Sequence, residues 1–459
     1  MSRSSASASG RRRWTGSCGG AAVAAMAGVL ATGWAEDRRD GPRVVSTHAV
    51  PPVPLNHGVT LGGLSDVVIV PAGAEGDGSS AWVITDRGPN GMAGAGESKR
   101  RTLLAPDFVP ALVKLRLPAD GEAIVEHVLP LAGSSGKPLS GRPNGVGRDE
   151  PVLDGAGRAV IAADPDGVDT EGLVVMPDGS FWICEEYRPS LLKVSAEGRV
   201  LERHVPAGGE LTGADTTVLA DIPAAYGDRR DNRGFEGLAL SGDAKNLFVL
   251  LQSPLDHPEK KAATKTGNVR LLVCDSATGT PVAEHVYRLG DPTAAGWAER
   301  GAPPDDGKLC CLAALRDGTL LVLEQDDTGL ARLYRADPRP ATDTLPRTGR
   351  GEGEPLETIR DLAAAGIEPL AKMLVADLGP LVPRLRRDVY GGDGSGGGAS
   401  LKLEGLAVLD DRRVILCNDN DFAVPGSAAG GGDGAARSCL WVIGLPVPLV
   451  PEESLASGR

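Results

Sequence analysis

The chain has 459 residues, with 48 Lys and Arg against 61 Asp and Glu for a net charge of −13. That balance excludes a broad nucleic-acid-binding face, because nothing would neutralise phosphates across it. Gly (63) and Pro (35) are abundant and aromatics make up 3%, which excludes an all-helical protein and leaves a core of Val, Leu, Ile and Ala suited to short strands.

Residues 1–35 carry four arginines and no acid. They run from Arg11-Arg12-Arg13-Trp14 through a weakly apolar stretch at 21–31 to Gly33-Trp34-Ala35, the layout of a cleaved export signal. The arginines followed by Trp14, where Phe is usual, are similar to a twin-arginine signal. The apolar stretch is too short to span a bilayer and no later one qualifies, so the expected mature protein is soluble, acidic, periplasmic or secreted. Residues 36–57 read as an N-terminal segment with a closing strand, 58–445 as one repeat domain, and 446–459 as a tail.

One unit recurs along the chain: a Glu-Gly-Leu-like start, an apolar strand, a turn rich in Asp and Gly, a second apolar strand and a polar exit. It reads Glu171-Gly172-Leu173, Pro177-Asp178-Gly179, Phe181-Trp182-Ile183, Cys184-Glu185-Glu186-Tyr187. It returns from Glu236-Gly237-Leu238 to Gln252-Ser253-Pro254, from Cys311-Leu312 to Glu324-Gln325-Asp326, and from Glu404-Gly405-Leu406 to Cys417-Asn418-Asp419. The earliest copy starts at Gly63-Leu64, turns over 73–80 and ends at Thr85-Asp86-Arg87-Gly88, with Gly62 in the leading position. A second hairpin follows several copies, around Ala119-Asp120-Gly121, Ala196-Glu197-Gly198 and Ala277-Thr278-Gly279. Two consecutive hairpins make a four-stranded antiparallel blade. The predicted fold is therefore all-β, a β-propeller of five four-stranded antiparallel blades, or six if one copy is cryptic. The strand near 44–53 is expected to close the ring by pairing with the C-terminal blade, which has one clear later strand at Leu440-Trp441-Val442-Ile443. Insertions at 133–168, 290–306, 336–371, 391–398 and 425–436 read as surface loops, with a short helix over 356–364.

The cysteines beyond the leader lack Cys-x-x-Cys spacing, which leaves a structural zinc site without support and makes them small buried hydrophobes. His127, His204 and His285 fall on outer strands and read as structural. Repeat starts and hairpin exits share one rim of a propeller. Glu171, Glu236 and Glu404, with Asp86, Glu185, Glu186, Glu324, Asp326 and Asp419, would then crowd one axial mouth. Such a ring needs a hard cation, raised pKa values or arginine partners. Calcium suits an oxygen-only donor set, and Arg87, Arg188 and Arg233 are near enough in sequence to pair with the acids or to bind an anion bidentately. For any one glutamate, satisfying loop backbone N–H groups is an equally open role.

The strings Asp169-Thr170-Glu171-Gly172-Leu173, Glu185-Glu186-Tyr187-Arg188-Pro189, Asn232-Arg233-Gly234-Phe235-Glu236-Gly237-Leu238 and Gln252-Ser253-Pro254-Leu255 resemble the phytase-like family with its "esterase-like activity of phytase". The resemblance runs from about Gly58 to Leu445 and implies a phosphoesterase with acidic positions at Asp169, Glu171, Glu185, Glu186, Glu236 and Glu404. Two copies depart from the pattern, with Cys310 and Gly62 in place of the leading Glu. The expected activity is calcium-assisted hydrolysis of a small anionic phosphate ester or diester. In that expectation Glu171 or Glu236 takes a proton from water, Arg233 and Arg188 steady developing charge, and Arg87 and Tyr187 bind substrate. Asp86, Asp169, Glu185, Glu186, Glu324, Glu404 and Asp419 hold the ion. A non-catalytic binding propeller and a lactonase-like esterase remain the alternatives.

Overall fold

The computed structural model describes residues 41–70, 79–94, 99–145, 151–290, 307–326, 329–351, 353–432 and 436–450. The export signal, most of the tail, the turn at 73–78 and nearly all of the 290–306 insertion lie outside the described residues.

Among the described residues, five mainly antiparallel sheets follow one another along the chain. Sheet I is built from Leu64–Val70, Ser79–Thr85, Ala111–Leu117 and Ile124–Pro130, and sheet II from Thr170–Val175, Phe181–Glu185, Ser190–Val194 and Val200–Pro206, with Thr217–Ile222 added in parallel at its outer edge. Sheet III takes Phe235–Leu240, Asn246–Leu251, Asn268–Asp275 and Pro281–Arg288, and sheet IV takes Lys308–Ala314, Leu320–Gln325, Ala331–Asp337 and Ala371–Asp377. Sheet V combines Lys402–Asp410, Arg413–Asp419 and Cys439–Gly444 with the early strand Arg43–Ala49. The first strands of the five sheets pack neighbour against neighbour in a ring, from sheet I through sheet V and back to sheet I. The closing strand behaves as expected: Val44 lies opposite Ile443 and Ala49 opposite Cys439, antiparallel. This strand near the start of the described residues is thereby tied to the last sheet, and an exposed sheet edge is covered.

The alternation of apolar residues that defines these strands also fills the spaces between sheets. Leu64, Val67, Val83, Ile415 and Leu440 join sheets I and V, while Ile84, Leu112, Leu173, Phe181 and Ile183 join sheets I and II. Each such side chain contributes about 1.5–3 kcal/mol by leaving water. Trp182 is fully buried and donates its indole N–H to the Ser276 carbonyl at 2.9 Å, linking sheet II to a turn of sheet III. The six cysteines among the described residues are free and buried, as small core residues should be.

Several local elements differ from expectation, among them the parallel strand Thr217–Ile222 and a short helix at Leu345–Arg350. The segment 356–364 carries only a 3₁₀ turn at Leu356–Thr358; beyond it Asp361 Oδ1 accepts the Ala364 N–H and Gly366 turns the chain at φ +70°. A helix does form at Val382–Tyr390, with a proline in its first turn and Gly391 at its end, burying Leu385 and Val389. A small sheet of Asn90–Ala93, Arg100–Leu103 and Leu153–Asp154 was not foreseen; its residues Gly91, Met92 and Arg101, with the neighbouring Lys99, overhang the axial mouth.

Candidate active site

Each sheet's first strand carries one extra residue near its start. Leu64 pairs with Thr85 and Asp66 with Ile84, which leaves Ser65 over. In the same way Glu236, Cys310 and Glu404 fall between paired residues in sheets III, IV and V. In sheet II, Glu171 and Gly172 together face only Cys184. Bulges of this kind re-aim a side chain, and here they turn Ser65, Glu171, Glu236, Cys310 and Glu404 toward the axis. The counterpart of the leading Glu in the first copy is thus Ser65 and not Gly62, a correction that only strand register reveals. The glycine after the bulge is a matter of close approach: a Cβ on Gly172 would lie 2.6 Å from the Leu238 nitrogen of the next sheet.

Strand alternation then decides which exit residues reach the mouth. Thr85, Glu185, Leu251, Glu324 and Asn418 are ladder partners at the strand ends. The residues one step later, Asp86, Glu186, Gln252, Gln325 and Asp419, face the axis. Asp86, Gln252, Gln325, Glu236, Cys310 and Glu404 line a cavity of about 810 Å³, together with Lys308, Arg233, Arg101 and Lys402.

On the sheet I and II side, oxygens of Asp169, Glu171 and Glu186 all lie within 4.8 Å of one another, and all three residues are buried. Asp169 and Glu186 both pair with the Arg87 guanidinium, at 3.1 Å for Glu186. Arg87 also donates to Asn232 Oδ1 at 2.6 Å and stacks 5.0 Å over the Tyr187 ring. Glu186 Oε1 and Glu236 Oε2 are buried and find no hydrogen-bond partner among the described residues. Burial first, and then mutual repulsion, hold Glu171, Glu236 and Asp86 well above the usual carboxylate range. Burial likewise pushes Asp169 and Glu404 up to about 8. Unpartnered buried oxygens beside a three-carboxylate cluster are what a hard divalent cation would satisfy; the donor set fits such an ion.

The sheet V side is different. Lys402 donates to Asp419 Oδ2 at 2.8 Å and to Asp421 Oδ1. Asp421, Phe422 and Ala423 are three consecutive non-glycine residues in the left-handed region, at φ 46°, 52° and 55°. This conformation costs roughly 1–2 kcal/mol per residue. It is held by Phe422 packing edge-on to Phe108 with ring centroids 5.2 Å apart, and by Gly63, whose missing side chain leaves room for the Phe422 ring.

The structure brings together Asp86, Asp169, Glu171, Glu186, Glu236, Glu404 and Asp419, with Arg87 beside the acids and Arg233 on the cavity wall. Four expectations need correction. Glu185 accepts the backbone N–H groups of Tyr187 and Arg188 at 3.0 and 3.2 Å and pairs with Arg203 at 2.9 Å, so its carboxylate is committed to the fold. Glu324 accepts the Tyr287 hydroxyl at 2.6 Å and pairs with Lys372 on the far side of its strand. Arg188 turns away toward Gly209, in the segment that follows Val200–Pro206. Tyr187 donates its hydroxyl to the Gly141 carbonyl at 2.7 Å and supports Arg87 rather than facing the cavity. Sequence reading missed Asp421, Lys402, Lys308 and Arg101. A search for acids alone passed over the lysines, although Lys308 and Lys402 stand two residues before their bulges, as Asp169 does in sheet II.

The pattern of the phytase-like family, described as "Esterase-like activity of phytase", matches residues 59–422. The chain belongs to this phytase-like family. An uncharacterized secreted protein from Arthroderma benhamiae is 34% identical to the phytase-like chain over 134 residues, 26% of each protein; the match spans about a quarter of that relative's length. Among solved structures, PhoX from Pseudomonas fluorescens in complex with vanadate, a transition state analogue, shares 9% identity at a TM-score of 0.41, covering 88% of this chain and 94% of that one. The native Bacillus subtilis arabinanase Arb43A shares 10% identity at a TM-score of 0.34, covering 83% and 94%. At these scores neither likeness informs the chemistry of the phytase-like chain. No helix among the described residues is long and apolar enough to cross a membrane.

Proposed function

We propose that this protein is an exported hydrolase of small phosphate esters, working at the mouth of a five-bladed propeller whose blades are sheets I to V. The observation that carries the reading is the buried Asp169, Glu171 and Glu186 cluster, joined through Arg87 to a cavity whose lining includes Arg101, Arg233 and Lys308. The carboxylate cluster suits a cation, and the basic side chains suit an anion. The three carboxylates would hold a divalent ion, calcium by preference because every donor is oxygen. When bound, such an ion polarises a phosphoryl oxygen and acidifies a coordinated water.

The chain's own residues then have distinct tasks. Arg87 fixes Asp169 and Glu186 in place through its ion pairs. Gln252 donates to Glu236 Oε1 at 2.7 Å and leaves Oε2 without a partner. Glu236, which lies outside the ion-holding triad and keeps one carboxylate oxygen uncommitted, is therefore the better candidate for taking a proton from the attacking water. Arg101, Arg233 and Lys308 would receive the anionic group. A neutral lactone would make little use of those three basic side chains, which favours the phosphate reading over a lactonase. Export follows from the signal-like N-terminus and accords with the secreted relative.

The test is phosphate release from a panel of phosphomonoesters and diesters, with calcium and with a chelator. Turnover should need the ion, and Glu236→Gln should lower it by about 10²–10⁴. Turnover confined to lactones, no turnover on any substrate, or hydrolysis indifferent to the chelator would overturn the reading.

A further inference from the structure

The two halves of the mouth meet the same electrostatic problem differently. On the sheet II side the residue two before the bulge is another acid, Asp169, and unpartnered carboxylate oxygen remains nearby. On the sheet V side the equivalent residue is Lys402. Its ammonium lies between Asp419 and Asp421 and beside Glu404. The two aspartates are pre-aimed at that point. Asp419 Oδ1 accepts the Asp421 N–H at 2.6 Å, Asp421 Oδ2 accepts the Ala429 N–H at 2.6 Å, and each offers its remaining oxygen to Lys402. A left-handed turn without glycine holds this arrangement. Two oriented carboxylates with a third alongside are a hard-cation donor set, yet a side chain supplies the charge.

We propose that Lys402 is a built-in cation occupying the place of a second divalent ion, so that the mouth takes one exchangeable ion, at Asp169, Glu171 and Glu186. The inference deepens the function proposed above and rests on its claim that this triad binds an ion. A lysine ammonium is a compact point charge with three donors and no acceptor. It can neutralise Asp419 and Asp421 and face an incoming anion, and a chelator cannot remove it. The sheet V wall would therefore keep its charge pattern when the ion on sheet II is stripped.

Calorimetric titration of calcium into the chelator-stripped full chain tests this. The wild type should bind one ion, Lys402→Arg one, and Lys402→Gln two, because removing the ammonium frees the aspartate oxygens; Glu171→Gln should abolish the wild-type site. Two or more ions in the wild type would overturn the role of Lys402 and leave the triad reading intact. No ion in the wild type but one in Lys402→Gln would refute the triad and support Lys402; none in either would sink both. One ion in both proteins, with Lys402→Gln folded by circular dichroism, would overturn the proposal. Should Lys402→Gln not fold, Asp421→Asn decides. Wild-type calcium affinity retained supports the proposal, and a loss of about tenfold, equivalent to ~1.4 kcal/mol, overturns it.

Discussion

Asp66 offers the sharpest test of how the axis is held together. It follows the Ser65 bulge and is buried, with Oδ1 accepting its neighbour Val67 N–H at 2.7 Å and Oδ2 accepting Leu173 N–H of sheet II at 2.8 Å. The Cys311 thiol of sheet IV donates to Oδ1 at 3.2 Å. Burial outweighs these hydrogen bonds and raises the carboxyl from its ordinary 3.8 to about 7. The folded chain thus keeps a proton that the unfolded chain releases. The associated stability is fully present below about pH 4 and is lost as pH rises through about 7. Three units of difference at ~1.36 kcal/mol each amount to roughly 4 kcal/mol across that window. Asp66→Asn removes the titration and leaves one backbone N–H facing an amide NH₂, a cost of about 1–3 kcal/mol at every pH. The variant should therefore be less stable than the wild type near pH 4.5 and equal or more stable near pH 8, with the curves crossing in between. Urea unfolding midpoints at half-unit pH steps, in chelator, measure this. Wild-type and Asp66→Asn curves that run parallel from pH 4.5 to 8 would refute the assignment of a proton to Asp66.

Other perturbations test the mouth and its supports. Arg87→Met strands Asp169 and Glu186 in a buried site and should cost about 3–5 kcal/mol by equilibrium unfolding, with part of the loss recovered in Arg87→Met/Glu186→Gln; additive losses in the double variant would count against the ion-pair account. Gly172→Ala forces a Cβ to 2.6 Å from the Leu238 nitrogen and 2.8 Å from Cys184 Sγ, so it should destabilise by about 1–3 kcal/mol. Gly41→Ala, which meets nothing within 4 Å, should leave the unfolding midpoint unmoved. Calcium at a hundred times its dissociation constant should raise wild-type stability by about 2.7 kcal/mol and leave Glu171→Gln unaffected; equal stabilisation of both would remove Glu171 from the ion site.

How far the sequence revealed this arrangement depends on which physical signal each part leaves. The five first hairpins and three of the second were legible because Asp-Gly turns such as Asp178-Gly179 and Asp317-Gly318 recur between apolar strands, and glycine marks turns that need positive φ, here 85° and 82°. The common rim followed from antiparallel topology alone, and Glu171, Glu236 and Glu404 do meet there. The choice between Glu185 and Glu186 was a different kind of question. Both carboxylates sit at one strand exit, and only the pairing of Glu185 with Thr170 shows which faces the fold. The same one-residue ambiguity placed Glu324 at the mouth when Gln325 occupies it. A bulge adds a residue without changing composition, so Ser65 could not be aligned with Glu171 by motif. The left-handed turn at Asp421 carries no glycine to announce it, since tertiary packing of Phe422 on Phe108 imposes it. The part of the site that escaped sequence reading is thus the part fixed by register and long-range packing. It is also the part where Lys402 meets its two aspartates, which makes the sheet V half of the mouth the more informative place to mutate.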